Sequence, residues 1–229
     1  MRREYTQEDY LPAKGLAQWT RYITHYLMAA QVTLWIAQTV ITAVEVTQQL
    51  SRQSEQHRLL GLGEDAFGVI LVLTYLAAGT LFLAWSRRIV INAYAMGADK
   101  RLIGMRPFET WFWWLIPIAN FFAPYGVMKH LAMATHDGAT DEGLPDEVDT
   151  AIKSWWFLTV IAGCLYPYAV VRLVTGGNAF DDLGAVLIVQ SIWAVVLFFE
   201  VLTWSLCLRL VAQVTRWQER KAADCLGWY

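Results

Sequence analysis

The sequence predicts an all-α integral membrane protein: four transmembrane helices plus a Pro-broken re-entrant or in-plane hairpin over residues 108–131, with both termini cytoplasmic. Three observations predict it. Of the 229 residues, 56% are hydrophobic and 17% charged, where a soluble domain carries about 45–50% and about 25%. The apolar residues gather in runs long enough to cross a bilayer. The chain's 12 Trp, 10 Tyr and 10 Phe cluster at the ends of those runs, where amphipathic rings sit at lipid headgroups.

Residues 1–23 are polar and of mixed charge, too long and too acidic for the basic leader of a cleavable signal, and read as a cytoplasmic N-terminal segment. The first apolar stretch, Tyr26 to Val46, is long enough to cross a core of ~30 Å at ~1.5 Å per residue. A polar loop with Gln48, Arg52, Glu55 and Arg58 follows. The second span runs from Ala66 to Trp85 and is stopped by Arg87 and Arg88. Two later runs, Trp155 to Val174 and Leu183 to Leu208, have span length as well. Residues 24–210 thus form one membrane domain, and residues 211–229 a cytoplasmic tail.

Phe108 to Leu131 is different, because Pro117 and Pro124 sit inside it as helix breaks. Each lacks an N–H, so a helix here strands the carbonyls of Trp113 and Asn120. Phe108 to Ile116 makes ~13 Å of helix, about half the hydrocarbon thickness, which is the reach of a re-entrant limb. Charge decides between spanning and returning. If the stretch spans, ten of the 18 Lys and Arg fall inside and eight outside; if it returns, fifteen fall inside and only Arg52, Arg58 and Arg172 outside. The positive-inside rule favours return.

Composition also excludes. A net charge of -2 with no Lys/Arg run among aromatics leaves nothing for a nucleic acid. Cys164, Cys207 and Cys225 lie far apart with no C-x-x-C pair, so neither a disulfide framework nor a thiolate metal site is indicated.

Trp85, Arg88 and Asn92 form W-x-x-R-x-x-x-N, and Trp114, Pro117, Ile118, Ala119, Asn120, Pro124 and Tyr125 form W-x-x-P-I-A-N-x-x-x-P-Y. With the Trp155-Trp156 pair, this pattern resembles a bacterial multi-pass membrane family, the domain of unknown function four-three-two-eight. The resemblance covers roughly residues 20 to 210 and implies fold and bacterial origin, hence the bacterial cytoplasmic membrane.

Four residues stand out as a ligand-binding set. Arg88 and Asn92 are four apart, on one face of a helix continuing out of the second span, where guanidinium and amide suit a phosphate or carboxylate; snorkelling and capping are the bland alternative. Asn120 offers two donors and an acceptor where broken helices free carbonyls, either to repair them or to bind. Glu200 lies about 12 Å deep in the last span, where an ionisable group is a functional hypothesis by default. The four are expected to line one polar cavity in the inner leaflet. Glu45 and Arg172, near the outer ends of their spans, are expected to pair structurally.

No cofactor is expected. A haem held axially by His25 and His130 is set aside, because each also reads as an interfacial polar tip. No metal-ligand spacing, H-E-x-x-H, G-x-S-x-G or Gly-rich phosphate loop occurs. The expected function is a non-enzymatic bacterial membrane module, an accessory subunit of a membrane complex or a lipid-responsive regulator. Its partners would be membrane lipids and other membrane subunits or a second copy. The alternative is a small transporter or membrane enzyme for an amphipathic anionic substrate, supported by the broken helix, the intramembrane Glu and the basic face.

Overall fold

The structure is a computed structural model that describes residues 6–48, 55–98, 103–115, 122–136, 139, 143–175 and 183–226. A single turn of 3-10 helix, Gln7–Asp9, precedes six α-helices: α1 Lys14–Gln48, α2 Glu55–Ala95, α3 Glu109–Leu115, α4 Ala123–Thr135, α5 Asp146–Thr175 and α6 Leu183–Leu226. Three helical stretches among the described residues are long and apolar enough to cross a membrane, in α1, α5 and α6. That suggests a membrane protein with an all-helical fold.

Local sequence explains where the helices begin and end. Thr6 and Asp9 form a capping box, with the Thr6 N–H donating to Asp9 Oδ2 at 3.0 Å. α2 does not stop at Arg87 and Arg88 but continues to Ala95. It ends there because Gly97 adopts φ 78°, which lets the Ala98 N–H reach back to the Ala93 carbonyl at 3.0 Å and close the helix in a Schellman motif. Glu109 places a carboxylate at the positive end of α3, and its Oε2 accepts the Arg106 N–H at 2.8 Å in the turn that leads into the helix. In α4, Pro124 lies in the first turn, where its missing N–H would have been without an intrahelical partner anyway; it starts a helix. Pro117 lies outside the described residues. At 7 and 13 residues, α3 and α4 are ~10 and ~20 Å long, and they pack on each other. α5 opens with Asp146, Glu147 and Asp149 at its positive end.

The chain divides into two compact units. The first comprises Met1–Tyr22, Gly79–Phe157 and Trp204–Tyr229. Its core is continuous: Trp85, Ile89, Val90 and Ala93 of α2 pack with Met128 and Leu131 of α4, Ile152 and Trp155 of α5, and Val211 and Val214 of α6. These recur at intervals of three and four, the spacing that keeps apolar groups on one helical face. Gly104 takes φ 61°, which favours glycine, and a Cβ there would also crowd the His130 ring at 3.1 Å. The second unit comprises Ile23–Ala78 and Leu158–Thr203. It buries Leu27, Met28, Ala78, Ala162 and Val196, and turns Val69, Ile70, Val72, Leu73 and Leu76 outward.

An ionic cluster ties α4 to α5 ahead of the apolar run that begins at Trp155. Asp149 Oδ2 lies 2.6 Å from Lys153 Nζ, and its Oδ1 lies 3.7 Å from Lys129 Nζ and accepts the Tyr125 hydroxyl at 3.1 Å. The hydrogen bond from Lys153, helped by those from Tyr125 and the charge of Lys129, holds the Asp149 carboxyl below its ordinary value against the opposing effect of burial. A carboxyl depressed on folding stabilises above its unfolded pKa and ceases to as the pH falls through its folded one. Asp149→Asn should therefore lower the melting temperature in detergent at neutral pH, and the gap from the parent should close as the pH drops below about 4.

Candidate functional site

α2 places Trp85, Ile89 and Asn92 on one face at offsets of four and seven, and α6 answers with Val211, Thr215 and Gln218 at the same offsets. The indole Nε1 of Trp85 donates to Thr215 Oγ1 at 3.0 Å, and the Thr215 hydroxyl donates to the Val211 carbonyl at 2.7 Å. One turn further on, Asn92, fully buried, donates from Nδ2 to the Leu11 carbonyl at 2.8 Å and to Gln218 Oε1 at 2.9 Å, while its Oδ1 accepts the Leu11 N–H at 3.2 Å. Gln218 completes the ladder by donating to the Ile89 carbonyl at 2.9 Å. Both donors of the Asn92 amide are spent on protein. Asn92 is thus a clamp joining the segment before α1, the end of α2 and the end of α6.

Arg88 lies one turn before Asn92 on the same helix and is half-buried. Arg87 stacks over the Trp111 ring at 5.8 Å, and Trp111 Nε1 donates to the Leu83 carbonyl at 3.0 Å, which fastens α3 to α2.

Glu200 belongs to the second unit. Its Oε2 accepts Gln31 Nε2 at 3.0 Å and the Tyr75 hydroxyl at 3.4 Å, and Gln31 also donates to the Tyr75 hydroxyl. Three helices, α1, α2 and α6, thereby contribute one polar group each. Further along α1, Thr39 Oγ1 lies 3.1 Å from Gln190 Oε1 of α6. Of the four residues of the ligand-binding set, Arg88 and Asn92 share a face in the first unit and Glu200 bonds to Gln31 and Tyr75 in the second. Asn120 lies outside the described residues, and so do the side chains of Glu45 and Arg172.

Of the histidines considered for haem, His25 is exposed on α1 and His130 is half-buried against Gly104. Among the described residues no group of three or more His, Cys, Asp or Glu could hold a metal ion.

A family model described as Domain of unknown function (DUF4328) matches residues 61–216, well over half of the chain. The chain belongs to this family. No curated protein and no solved structure matches it. The DUF4328 match takes in Tyr75, Asn92, Glu200 and Thr215 but stops short of Leu11, Gln31 and Gln218, the partners on which Asn92 and Glu200 rely.

Those partners are also what a reading of the sequence missed. Gln31 and Tyr75 are uncharged groups inside apolar runs, and a mid-span Gln was the available signal. Gln218 looked like part of a tail, although Val211, Val214 and Gln218 keep the helical period of the span before them.

Asn92→Ala would leave the Gln218 amide and both polar groups of Leu11 without their partner. It is expected to cost about 1–3 kcal/mol. Arg88→Ala should stay within about 0.5 kcal/mol. Thermal unfolding of the purified protein in detergent distinguishes them; equal losses would contradict the clamp.

Proposed function

We propose that the chain is a non-enzymatic module of the bacterial cytoplasmic membrane, with four spans, residues 108–131 as a re-entrant or in-plane hairpin, and both termini cytoplasmic. It acts as an accessory subunit of a membrane complex or as a lipid-responsive regulator. One observation carries the topology: the first unit contains both flanks of the hairpin together with both ends of the described chain. Before the hairpin, the Tyr94 hydroxyl donates to the Met105 carbonyl at 2.8 Å. After it, the His136 ring stacks edge-on to Trp217 at 4.6 Å, and Lys221 Nζ donates to the Ala134 carbonyl at 3.3 Å. A segment that crossed the bilayer would part its flanks by ~30 Å. Shared packing of the flanks supports return to the side of entry, in agreement with the distribution of basic residues.

Support for the lipid reading comes from aromatic exposure. Phe108 and Phe122, flanking α3 and opening α4, are 72% and 71% exposed, and Phe112 is 48% exposed. Tyr22 and Tyr26 on α1 stand out similarly. Large apolar rings left uncovered by protein mark a surface for membrane or partner, and Arg87 and Arg88 add the charge that an anionic headgroup favours. The alternative reading, a small transporter for an amphipathic anionic substrate, draws on the Glu200 cluster within the apolar part of α6.

Two measurements test this reading. With Cys164, Cys207 and Cys225 replaced, single cysteines at positions 141 and 223 should be equally protected from a membrane-impermeant reagent added outside cells. Labelling at position 141 alone would require a fifth span. In the purified protein, the combined change of Arg87 and Arg88 to Ala should reduce co-purifying anionic lipid severalfold with the fold intact; an unchanged lipid complement would remove the lipid-responsive role.

A further inference from the structure

The second unit carries buried polar groups that its described residues do not satisfy. Along one stripe of α1 lie Thr24, Gln31, Trp35 and Thr39, at offsets of seven, eleven and fifteen. Facing contacts come from α6, where Glu200 meets Gln31 and Gln190 meets Thr39. The order of these two pairs makes α1 and α6 antiparallel along the seam, so Thr203 lies on the Thr24 side of Glu200. Thr24 Oγ1, Gln31 Oε1, Trp35 Nε1 and Thr203 Oγ1 are buried and have no hydrogen-bond partner among the described residues. The two threonines are 0% and 9% exposed.

The chemistry of these groups selects their ligand. An indole N–H only donates and an amide oxygen only accepts, whereas a hydroxyl does both. A cation would satisfy the acceptors and leave Trp35 wanting; an anion would do the reverse. Water serves both. Turning the Gln31 amide over exchanges which of its ends is bonded, and water serves either end. Spacing agrees as well. Gln31 and Trp35, four apart on α1, have Cβ atoms ~5–6 Å apart, so their polar ends lie on one face where water can serve both. From Thr24 to Thr39 the stripe is ~22 Å long at ~1.5 Å per residue.

We propose that the α1–α6 seam holds a file of water molecules that carries protons from the Thr24 end to Glu200, and that Glu200, Gln31 and Tyr75 form a proton-binding site. Glu200 Oε2 is occupied by the Gln31 amide and the Tyr75 hydroxyl, so Oε1 is the atom that takes the proton. The step moves one proton and no electrons: a protonated water gives H⁺ to Oε1, the carboxylate becomes a carboxylic acid, and neutral water stays behind. Release is the reverse. Among the described side chains of this unit the titratable groups besides Glu200 are His25 and Tyr26 on α1, Tyr75 on α2 and Cys164 on α5. Tyr75 alone of these is bonded to the carboxylate. The inference goes beyond the lipid reading and does not depend on it.

Infrared difference spectroscopy of the full chain in lipid nanodiscs tests it. The parent should show a protonated-carboxyl C=O band that appears on acidification and shifts in D₂O within the time of buffer exchange. Glu200→Gln, which keeps the size and the Gln31 contact, should abolish that band. Thr24→Val with Thr203→Val should keep it while slowing its D₂O shift by at least tenfold, and both variants should elute and melt as folded proteins. A band that persists in Glu200→Gln, a parent without a titrating band, a parent band that does not exchange in D₂O, or a double variant that exchanges as fast as the parent would each overturn the proposal. Because lipid retention is not read in this experiment, its failure leaves the Arg87 and Arg88 result standing.

Discussion

A side-chain amide can pair with a peptide unit as another peptide unit would, offering a donor and an acceptor in one plane, and the first unit depends on one such pairing. Asn92 bonds both the N–H and the carbonyl of Leu11, and gives its remaining hydrogen to Gln218. Nothing apolar could do this. Leu11 precedes α1, outside any helix, and the Asn92 amide supplies the donor and acceptor that a helical neighbour would otherwise offer its peptide groups. Once the strap is made, Ala13 and Ala17 can sit in the core beside Trp85 and Val211. The small side chains allow close approach and the clamp fixes where that approach occurs. Gln218 carries the same logic into α6 by bonding the Ile89 carbonyl, so that a polar ladder runs beside the apolar contacts.

The two units enclose their side chains differently. In the first, large side chains such as Trp85, Met128 and Leu131 are almost wholly enclosed. The second turns Leu73, Leu76, Leu187, Ile188 and Phe198 outward and, among its described residues, encloses few large groups. Between apolar helices in lipid there is no hydrophobic gain from association, because lipid tails solvate leucine as well as another leucine does. Contacts such as Gln31 with Glu200 and Thr39 with Gln190 then matter more.

Much of this was legible in the order of residues. Runs of span length gave the helical class, and the four-residue spacing of Arg88 and Asn92 fitted a helix continuing beyond the charged pair, as α2 does to Ala95. A charge can end an apolar run without ending a helix: Arg209 is exposed on α6, which continues to Leu226 while Val211 and Val214 remain in the core. Pro124 stands in the first turn of α4, where a proline is suited to begin a helix. The pairing of Gln31 with Glu200, separated by 169 positions, was out of reach. Neutral polar residues leave no charge pattern, and a helical period tells which residues share a face without telling which face they meet.

That asymmetry bears on how chemistry is distributed along the chain. Asn92, Gln218, Gln31 and Gln190 are all neutral amides, each placed where it bonds a group from another helix or segment. A neutral amide is directional and loses far less solvation on burial than an ion, so it can join helices without needing a counter-charge. Glu200 breaks the pattern. In the same place a Gln would make similar contacts with Gln31 and Tyr75 at smaller solvation cost, so structural joining alone does not account for a carboxyl. What the carboxyl adds over the amide is the capacity to bind and release a proton, and the groups along its seam, the hydroxyls of Thr24 and Thr203 and the indole N–H of Trp35, are those that hydrogen-bonded water can link.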